Sequence, residues 1–264
     1  MDDQQPKWKS NQYSEISGIQ NKANLELLGQ LPLKETDNVL DAGCGDGKLT
    51  FWVAQQVKKG SVLGIDSSPS MIRLCNEKLK ETSVPATFAV MDLHDVDFEN
   101  RFDLVFSNSV LHWVKETDRV LEGLYKSLKP GGSLGLQFPL LNALHPFTAA
   151  CQQVVRNLKL EKFFEDWEFP WYVPEPEEFK QIFSRYGFQE TKVYVNSPAI
   201  DFESSKKLFN SFDSAGLDLY TQRLPDTLQE RFKQEVFSEV EKMKENGRLM
   251  VRFERIYAFG YRKF

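Results

Sequence analysis

The chain has 264 residues, of which 41% are apolar and 27% are charged, and its formal net charge is −5. This length fits one large domain with the composition of a globular protein. The 33 basic residues form no long basic run, which argues against a partner held through nucleic-acid phosphates. No apolar stretch approaches the roughly 18 residues of a membrane span. Three scattered cysteines favour a reducing, cytoplasmic compartment over a disulfide framework or a cysteine-rich metal site.

The first predicted element is a helix over residues 13–31, where apolar residues recur at helical spacing. Pro32 marks its end, because the residue before a proline disfavours helical backbone. Tyr13 and Gln20 stand seven residues apart and would share one face of this helix. Two interpretations are open for residues 1–36: a helix packed on the outside of the domain, or a lid over a ligand.

Up to residue 139, short apolar runs alternate with helical segments, which predicts a parallel sheet with helices on both faces. Right-handed crossovers place every loop that follows a strand at one edge of that sheet. Ligands bind at this edge in such folds, where the strand order reverses. The predicted strands cover residues 38–42, 61–66, 86–91, 103–108 and 133–138, and the helices begin near residues 48, 69 and 116.

Beyond residue 139 the pattern changes to an aromatic-rich insertion, whose rings either line an apolar substrate pocket or anchor the insertion to the sheet. Its helix is predicted over 146–162, further helices over 175–186, 204–215 and 226–246, and strands over 189–195 and 249–261. We therefore predict a single domain, residues 1–264. Its parts are the lid helix (1–36), a ligand-binding core (37–139), a substrate-side insertion with its helix (140–187), and C-terminal strands and helices (188–264).

The loop from Asp41 to Gly47 has glycine at every second position and joins the first strand to a helix. Glycines let bare N–H groups approach a ligand, and the helix start adds unpaired N–H groups and partial positive charge. The spacing differs from the Gly-x-Gly-x-x-Gly of dinucleotide folds, and the sequence has no triphosphate-binding loop. Asp41 would repel a pyrophosphate but accept a hydrogen bond from an ammonium group. The loop therefore favours a cofactor with a positive amino-acid part over NAD or ATP.

Two further acids follow the next two strands. Asp66 ends the second strand, 19 residues after Gly47, where a carboxylate can accept from both ribose hydroxyls. Asp92 follows the third strand and can accept from an exocyclic amine, while the Leu93 N–H can donate to a ring nitrogen. Met71, one turn into the helix after Asp66, offers an adenine ring an apolar wall. Acids at successive strand ends, in this order, indicate an adenosine-containing cofactor.

With these residues the sequence resembles the class I S-adenosylmethionine-dependent methyltransferases. The resemblance lies in VLDAGCGDGKL (39–49), VLGIDS (62–67), Met91-Asp92-Leu93, FDLVFSNS (102–109) and LKPGG (128–132). It implies a Rossmann-like α/β fold, with a seven-stranded, mostly parallel sheet whose last strand runs antiparallel between its neighbours. The strands over 189–195 and 249–261 would be the sixth and seventh. It also implies S-adenosylmethionine as the cofactor, with Asp41 and Gly43 beside the methionine part.

The predicted cofactor-binding residues come from the N-terminal helix and the strand ends. They are Tyr13, Gln20, Asp41, Gly43, Cys44, Gly45, Asp66, Ser67, Met71, Asp92, Leu93, Asn108 and Ser109. No metal site is predicted. Within the class, the segments 111–114 and 252–261 resemble the trans-aconitate and juvenile hormone acid methyltransferase groups.

The predicted substrate is a small molecule, carboxylated or with an acyl chain, and a carboxylate is a candidate acceptor. Ser107-Asn108-Ser109 lacks the Asn/Asp-Pro-Pro-Tyr/Phe pattern of many DNA and protein-amide methyltransferases, and this absence, with the acidic net charge, favours a small-molecule substrate. His112 and Trp113 follow the fourth strand and are the candidate catalytic residues. His112 would act as a base or orient a carboxylate, and Trp113 would form a pocket wall; packing roles are the alternative for both. Three other functions stay open: N- or C-methylation of a metabolite, a non-catalytic cofactor-binding module, and, disfavoured by the loop spacing, an NAD-type oxidoreductase.

Overall fold

The computed structural model describes residues 19–140, 145–202, 204–212, 216–244, 246 and 248–264. In chain order its helices are α1 (Ile19–Gly29), α2 (Lys48–Gln56), α3 (Pro69–Leu79), α4 (Thr117–Ser127), α5 (His145–Asn157), α6 (Pro176–Arg185), α7 (Ser205–Phe212), α8 (Asp218–Thr221) and α9 (Asp226–Glu241). The strands are β1 (Asn38–Ala42), β2 (Ser61–Asp66), β3 (Ala86–Val90), β4 (Phe102–Asn108), β5 (Leu128–Pro139), β6 (Gln189–Asn196), β7 (Ala199–Phe202), β8 (Leu249–Arg252) and β9 (Arg255–Tyr261). Short 3₁₀ turns cover Leu93–Asp95, Leu111–Trp113 and Glu161–Phe163.

The described residues fall into two compact units. The sheet unit contains the residues up to 138 together with 174–195 and 255–264, and the insert unit contains 139–173 and 196–254. The predicted organisation as a single domain, with its four segments, stays a prediction.

The sheet unit is built on a seven-stranded sheet in the order β3-β2-β1-β4-β5-β9-β6. The pairs β3/β2, β2/β1, β1/β4 and β4/β5 are parallel. Gly131 bonds to Arg262 while Leu140 bonds to Glu254, so β9 runs antiparallel to β5. The Rossmann-like fold with an antiparallel strand between its neighbours is thus confirmed. Because β9 is reversed, its first residue lies at the edge where the parallel strands end.

Both faces of β1 and β4 are buried, as expected for central parallel strands flanked by helices. One core cluster joins α1 and α2 to the sheet through Leu27, Val53, Leu104 and Tyr257, which are all fully buried. At Gly135, a Cβ atom would lie 2.4 Å from Leu31 Cδ2 at the end of α1, so this glycine allows close helix packing. In the described part of α1, the packed-helix interpretation therefore agrees with the burial of its apolar face.

Four predicted elements differ from the structure by five residues or more. One of them is the helix predicted over 226–246, which ends at Glu241. The prediction of one continuous strand over 249–261 was wrong. The first part, β8, pairs with β7 in a separate two-stranded sheet, and the chain changes sheets at Phe253. The sequence pattern did not indicate β7. β5 begins at Leu128 rather than Ser133, because Gly131 and Gly132 exchange backbone hydrogen bonds with Arg262. Helix α5 ends before Lys159, whose positive φ of 55° is incompatible with a continuing helix.

The insert unit has its own core. Helices α5 and α9 pack on each other, with Phe147, Val154, Phe232 and Val240 among the buried side chains. Trp167 and Tyr220 meet edge to face at 4.7 Å between ring centroids, and Phe164 and Phe169 contact both rings. These aromatic residues of the insertion thus pack on one another within the insert unit, and the anchoring of the insertion to the sheet stays a prediction.

Candidate active site

A cavity of about 530 Å³ lies at the carboxyl ends of β1, β2, β3 and β4. This volume falls within the roughly 300–1,000 Å³ of pockets that hold small molecules. The strand order reverses between β1 and β4, since the chain proceeds from β1 to β2 and β3 on one side and to β4 and β5 on the other. Open α/β sheets bind ligands at this reversal point. All of the described residues that line the cavity belong to the sheet unit.

The glycine loop forms the floor of the cavity. The N–H groups of Gly43 and Cys44 both donate to the Ile65 carbonyl at 2.8 Å, which ties the loop to the end of β2. Gly43 has a φ of 86°, and a Cβ atom there would lie 2.3 Å from Val110 Cγ2. A side chain at this position would therefore meet both backbone strain and a clash. Helix α2 begins immediately after Gly47, and its first two residues, Lys48 and Leu49, line the cavity.

Asp41, the last acid before the loop, is 2% exposed and lines the cavity. Its Oδ2 accepts a hydrogen bond from Thr50 Oγ1 at 2.6 Å, and no cation among the described residues pairs with it. Burial raises the pKa of Asp41 from 3.8 to about 7; the Thr50 bond acts in the opposite direction. A buried carboxylate without a counter-ion is costly, so this position would accept a positively charged group.

Asp66 holds the backbone on both sides of the cavity mouth. Its Oδ2 accepts from the Gly45 N–H, and its Oδ1 accepts from the Ser68 N–H, both at 2.9 Å. Each carboxylate oxygen has a second lone pair, so the side chain can accept further hydrogen bonds from a ligand. The two backbone bonds fix the carboxylate orientation before any ligand arrives.

Asp92 starts the 3₁₀ turn after β3. Its Oδ1 accepts from the His94 backbone N–H at 2.9 Å and contacts His94 Nδ1 at 2.6 Å. Hydrogen bonds from His94 lower the pKa of Asp92, so the carboxylate is ionised at neutral pH. His94 lines the cavity beside Asp92.

The end of β4 provides the wall opposite these acids. Asn108 Nδ2 donates to Asn24 Oδ1 of α1 at 2.9 Å, and both residues line the cavity. Ser109 adopts a positive φ of 59°, and its N–H donates to the Gln137 carbonyl of β5 at 2.7 Å. This left-handed turn aims the Ser109 hydroxyl at the side chains of β5 and β9.

His112 and Trp113 follow on the 3₁₀ turn, with their ring centroids 5.1 Å apart. Trp113 is 46% exposed and lines the cavity. His112 is 4% exposed and is not among the lining residues. Burial, with a smaller contribution from the nearby Arg255 charge, lowers the pKa of His112 to about 3, so its imidazole is neutral at physiological pH.

The structure brings most of the predicted site residues into this one cavity. These are Asp41, Gly43, Cys44, Gly45, Asp66, Ser67, Met71, Asp92, Leu93, Asn108, Ser109 and Trp113. Tyr13 lies outside the described residues, and so does the side chain of Gln20. Among the lining residues that sequence reasoning missed are Asn24, His94 and Val110. A signal for Asn24 existed, because it is one helical turn beyond Gln20 on the same face of α1.

Comparison with known proteins agrees with this geometry. A methyltransferase domain family matches residues 39–132, which covers the strands and loops around the cavity. A trans-aconitate 2-methyltransferase from Escherichia coli O17:K52:H18 is 25% identical and aligns over 97% of this chain and 98% of its own. The corresponding enzyme of Delftia acidovorans is 26% identical with the same two coverages. The chain is a class I S-adenosylmethionine-dependent methyltransferase.

Several solved structures of other proteins share the fold of this methyltransferase. The YcgJ protein from Bacillus subtilis superposes with a TM-score of 0.63 at 14% identity, over 92% of this chain and 99% of that one. Phosphoethanolamine N-methyltransferase 2 from Haemonchus contortus, solved with S-adenosyl-L-methionine, superposes with a TM-score of 0.60 at 20% identity. The superposition covers 92% of this chain but only about half (53%) of the Haemonchus protein. S-adenosylmethionine is the cofactor of the methyltransferase.

Within the described ranges, no helix of the methyltransferase is both long and apolar enough to cross a membrane. The same residues contain no group of three or more His, Cys, Asp or Glu side chains arranged to hold a metal ion.

Proposed function

We propose that this methyltransferase transfers the methyl group to a carboxylate oxygen of a small organic acid. The observation that carries the proposal is the near full-length likeness to enzymes named trans-aconitate 2-methyltransferase, which extends through the insert unit as well as the sheet unit. A likeness confined to the cofactor-binding core would say nothing about the acceptor.

The described residues fit the cofactor. Asp41, buried without a counter-ion, would hold the ammonium group, and Asp66 would accept from the ribose hydroxyls. Asp92 and Leu93 would contact the adenine, with Met71 against its face, while Gly43, Cys44, Gly45, Ser67, Asn108 and Ser109 line the remaining walls. When bound, S-adenosylmethionine supplies a sulfonium-linked methyl group whose transfer to the acid leaves S-adenosylhomocysteine and a methyl ester.

The state of His112 supports a carboxylate acceptor. A phenol, an ammonium or a carbon acid has to lose a proton, whereas a carboxylate is already ionised at neutral pH. The lowered pKa of His112 makes it a weak base, because a catalytic base works best with a pKa near the working pH. We infer that His112, in its neutral form, orients the carboxylate of the acceptor. We also infer that Trp113 forms one wall of the acceptor-binding part of the site.

The test is a product analysis with S-adenosylmethionine and separate panels of acids, amines and phenols. We expect S-adenosylhomocysteine to accumulate with acids such as trans-aconitate, and the product to gain one methyl group that mild alkali removes, as it does from an ester. An alkali-stable methyl product would show N- or C-methylation instead. Tight cofactor binding without transfer to any panel would favour the non-catalytic binding module.

We also propose that the protein acts in the cytoplasm and that its methyl acceptor is a small molecule. In support, Cys44, Cys75 and Cys151 all carry free thiols, which persist in a reducing compartment. The net charge of −5 favours a small-molecule acceptor over nucleic acid. Immunolocalisation in the native cell, with a cytoplasmic marker, tests the location.

A further inference from the structure

Arg255 is a buried arginine for which the described residues provide no carboxylate. It is the first residue of β9 and is 8% exposed. Its Nη1 donates a hydrogen bond to the Ser109 hydroxyl at 3.1 Å, and its Nε has no partner among the described residues. Burial lowers the pKa of Arg255, which reflects the cost of a charge without a counter-ion. Buried charges are ordinarily paired, so this arrangement needs an explanation.

The direction of β9 places Arg255 beside the ligand cavity. Since β9 is antiparallel to β5, its first residue lies at the edge where β4 and β5 end. Ser109, which receives the Arg255 hydrogen bond, lines the cavity at the end of β4. The charge of Arg255 also contributes to the lowered pKa of His112, whose neighbour Trp113 lines the same cavity.

A second buried donor lies beside Arg255. An arginine can only donate, so the Ser109 oxygen accepts from Arg255 and its own hydroxyl hydrogen is free for Gln137 Oε1, 3.2 Å away. This bond orients the Gln137 amide, and Gln137 Nε2 then has no partner among the described residues. Gln137 is 1% exposed on β5. We call Ser109, Gln137 and Arg255 the Arg255 cluster; it contains two unused N–H donors and one positive charge.

Arg262 shows what an arginine with a structural role looks like on the same strand. It follows β9, and its Nη1 donates to the carbonyls of Tyr125, Lys126 and Leu128 at 3.3, 2.8 and 2.5 Å. These carbonyls belong to the end of α4 and the start of β5, where the free acceptors of a helix end need donors. Arg262 thus joins two elements, whereas Arg255 holds one hydroxyl and leaves donors unused.

We propose that the Arg255 cluster binds a carboxylate of the substrate, one that is not the methyl acceptor. A planar guanidinium with an adjacent amide donor matches the two oxygens of a carboxylate. A carboxylate held in this way shares its lone pairs with N–H groups and is a poor nucleophile. The substrate is therefore an acid with at least two carboxylates. This inference rests on the proposed function and narrows it from organic acids to polycarboxylic acids.

The substitutions Arg255→Met, Arg255→Lys and Gln137→Leu test the cluster, with Arg252→Met as the matched control. Arg252 lies three residues earlier and is exposed, with one long hydrogen bond of 3.5 Å to the Ser197 carbonyl. For trans-aconitate we expect KM to rise about 100-fold in Arg255→Met, since a desolvated charge pair is lost. The rise is smaller in Arg255→Lys, which keeps the charge without the fork, and in Gln137→Leu.

S-adenosylhomocysteine binding by calorimetry serves as the readout of folding. Its Kd should stay within about twofold of the parent in each variant, because neither Arg255 nor Gln137 is among the described residues that line the cofactor cavity. If Arg255→Met does not bind it, the Arg255→Lys and Gln137→Leu variants decide. An unchanged KM in the folded variants, an equal rise in Arg252→Met, or monocarboxylates methylated as efficiently as polycarboxylates would overturn the inference.

A parent protein that methylates no acid contradicts the proposed function rather than the cluster. In that case trans-aconitate is titrated calorimetrically into the parent and Arg255→Met proteins, both saturated with S-adenosylhomocysteine. Binding that is lost in the variant supports the cluster as a carboxylate site. No binding to the parent, or equal binding to both proteins, contradicts it.

Discussion

The two sides of the sheet edge carry opposite charges. On one side, Asp41 and Asp66 lie at the ends of β1 and β2 and Asp92 follows β3; we call these three residues the acidic wall. On the other side, the Arg255 cluster stands at β4, β5 and the start of β9 with no carboxylate partner among the described residues. A cation has favourable partners on the acidic wall, and an anion has them at the cluster. Under the proposed function, the acidic wall would favour the cationic cofactor and the Arg255 cluster would favour the anionic substrate.

The largest expected effect tests the acidic wall. In Asp66→Ala the acceptor of the ribose hydroxyls is lost, together with the carboxylate that positions the Gly45 and Ser68 N–H groups. Hydrogen bonds to a charged group contribute about 1.5–3 kcal/mol each, so we expect the Kd for S-adenosylmethionine to rise about 1,000-fold by calorimetry.

Asp95→Ala is the matched control for Asp66→Ala. Its side chain is 71% exposed, lies just beyond the acidic wall, and only approaches Arg119 at 3.8 Å. Its Kd should equal that of the parent. An Asp66→Ala protein that binds as tightly as the parent would remove Asp66 from the cofactor site.

The next effect concerns the charge of Asp41. The folded pKa of about 7 lies above the ordinary 3.8, so the stability associated with the protonated carboxyl is complete below about pH 4 and is lost as pH rises through 7. Asp41→Asn keeps an acceptor for Thr50 and removes this loss. Without cofactor, we expect the variant to exceed the parent in unfolding free energy by about 1–3 kcal/mol at pH 8, and by little at pH 4.

Denaturant unfolding at both pH values measures this difference, and the comparison with the parent cancels the other titrating groups. The same variant should bind S-adenosylmethionine more weakly, because the partner of its ammonium group is gone. Gain of stability with loss of affinity would show that the acidic wall is built for a cation. A stability difference that does not vary with pH would mean that Asp41 is not the titrating group.

The smallest effect belongs to the cluster side. Because the pKa of His112 is about 3, its imidazole is neutral from pH 5.5 to 8, and its stabilising contribution as a neutral group is lost only as pH falls below 6.5 toward 3. We expect the kcat of the parent with trans-aconitate to show no step near pH 6.5, and the kcat of His112→Gln to change less than about threefold. A step near pH 6.5 that disappears in His112→Gln would identify His112 as a base and invalidate the neutral, orienting role.

The residues on the cofactor side of the molecule could be predicted from the sequence because each lies in a short, local sequence pattern. The glycine loop, Asp66 and Asp92 each follow an apolar strand directly, and parallel topology brings the strand ends together. The strands β1 and β2 were predicted residue for residue, and β3 and β4 to within one residue.

The Arg255 cluster could not be predicted from the sequence, because it is formed by contacts between residues that are distant along the chain. Gln137 lies in an apolar run that indicates nothing beyond a strand. Arg255 lies within a stretch that the pattern assigned to one long strand, whereas the chain changes sheets just before it. The absence of a counter-ion for a buried arginine is a property of the folded chain, and no sequence window contains it.

The reversed direction of β9 has a consequence for how such an enzyme can diversify. Residue 255 reaches the ligand edge from a strand that supplies no residue to the acidic wall, and more than 100 positions separate it from Asn108. If the Arg255 cluster binds a substrate carboxylate as proposed, substitutions at 255 and 137 would alter which acceptors bind, while the residues that line the methyl-donor pocket stay unchanged. For protein engineering, residue 255 at the start of β9 would be a position at which to change the substrate specificity. An apolar or acidic residue there would redirect the same scaffold toward neutral or cationic acceptors.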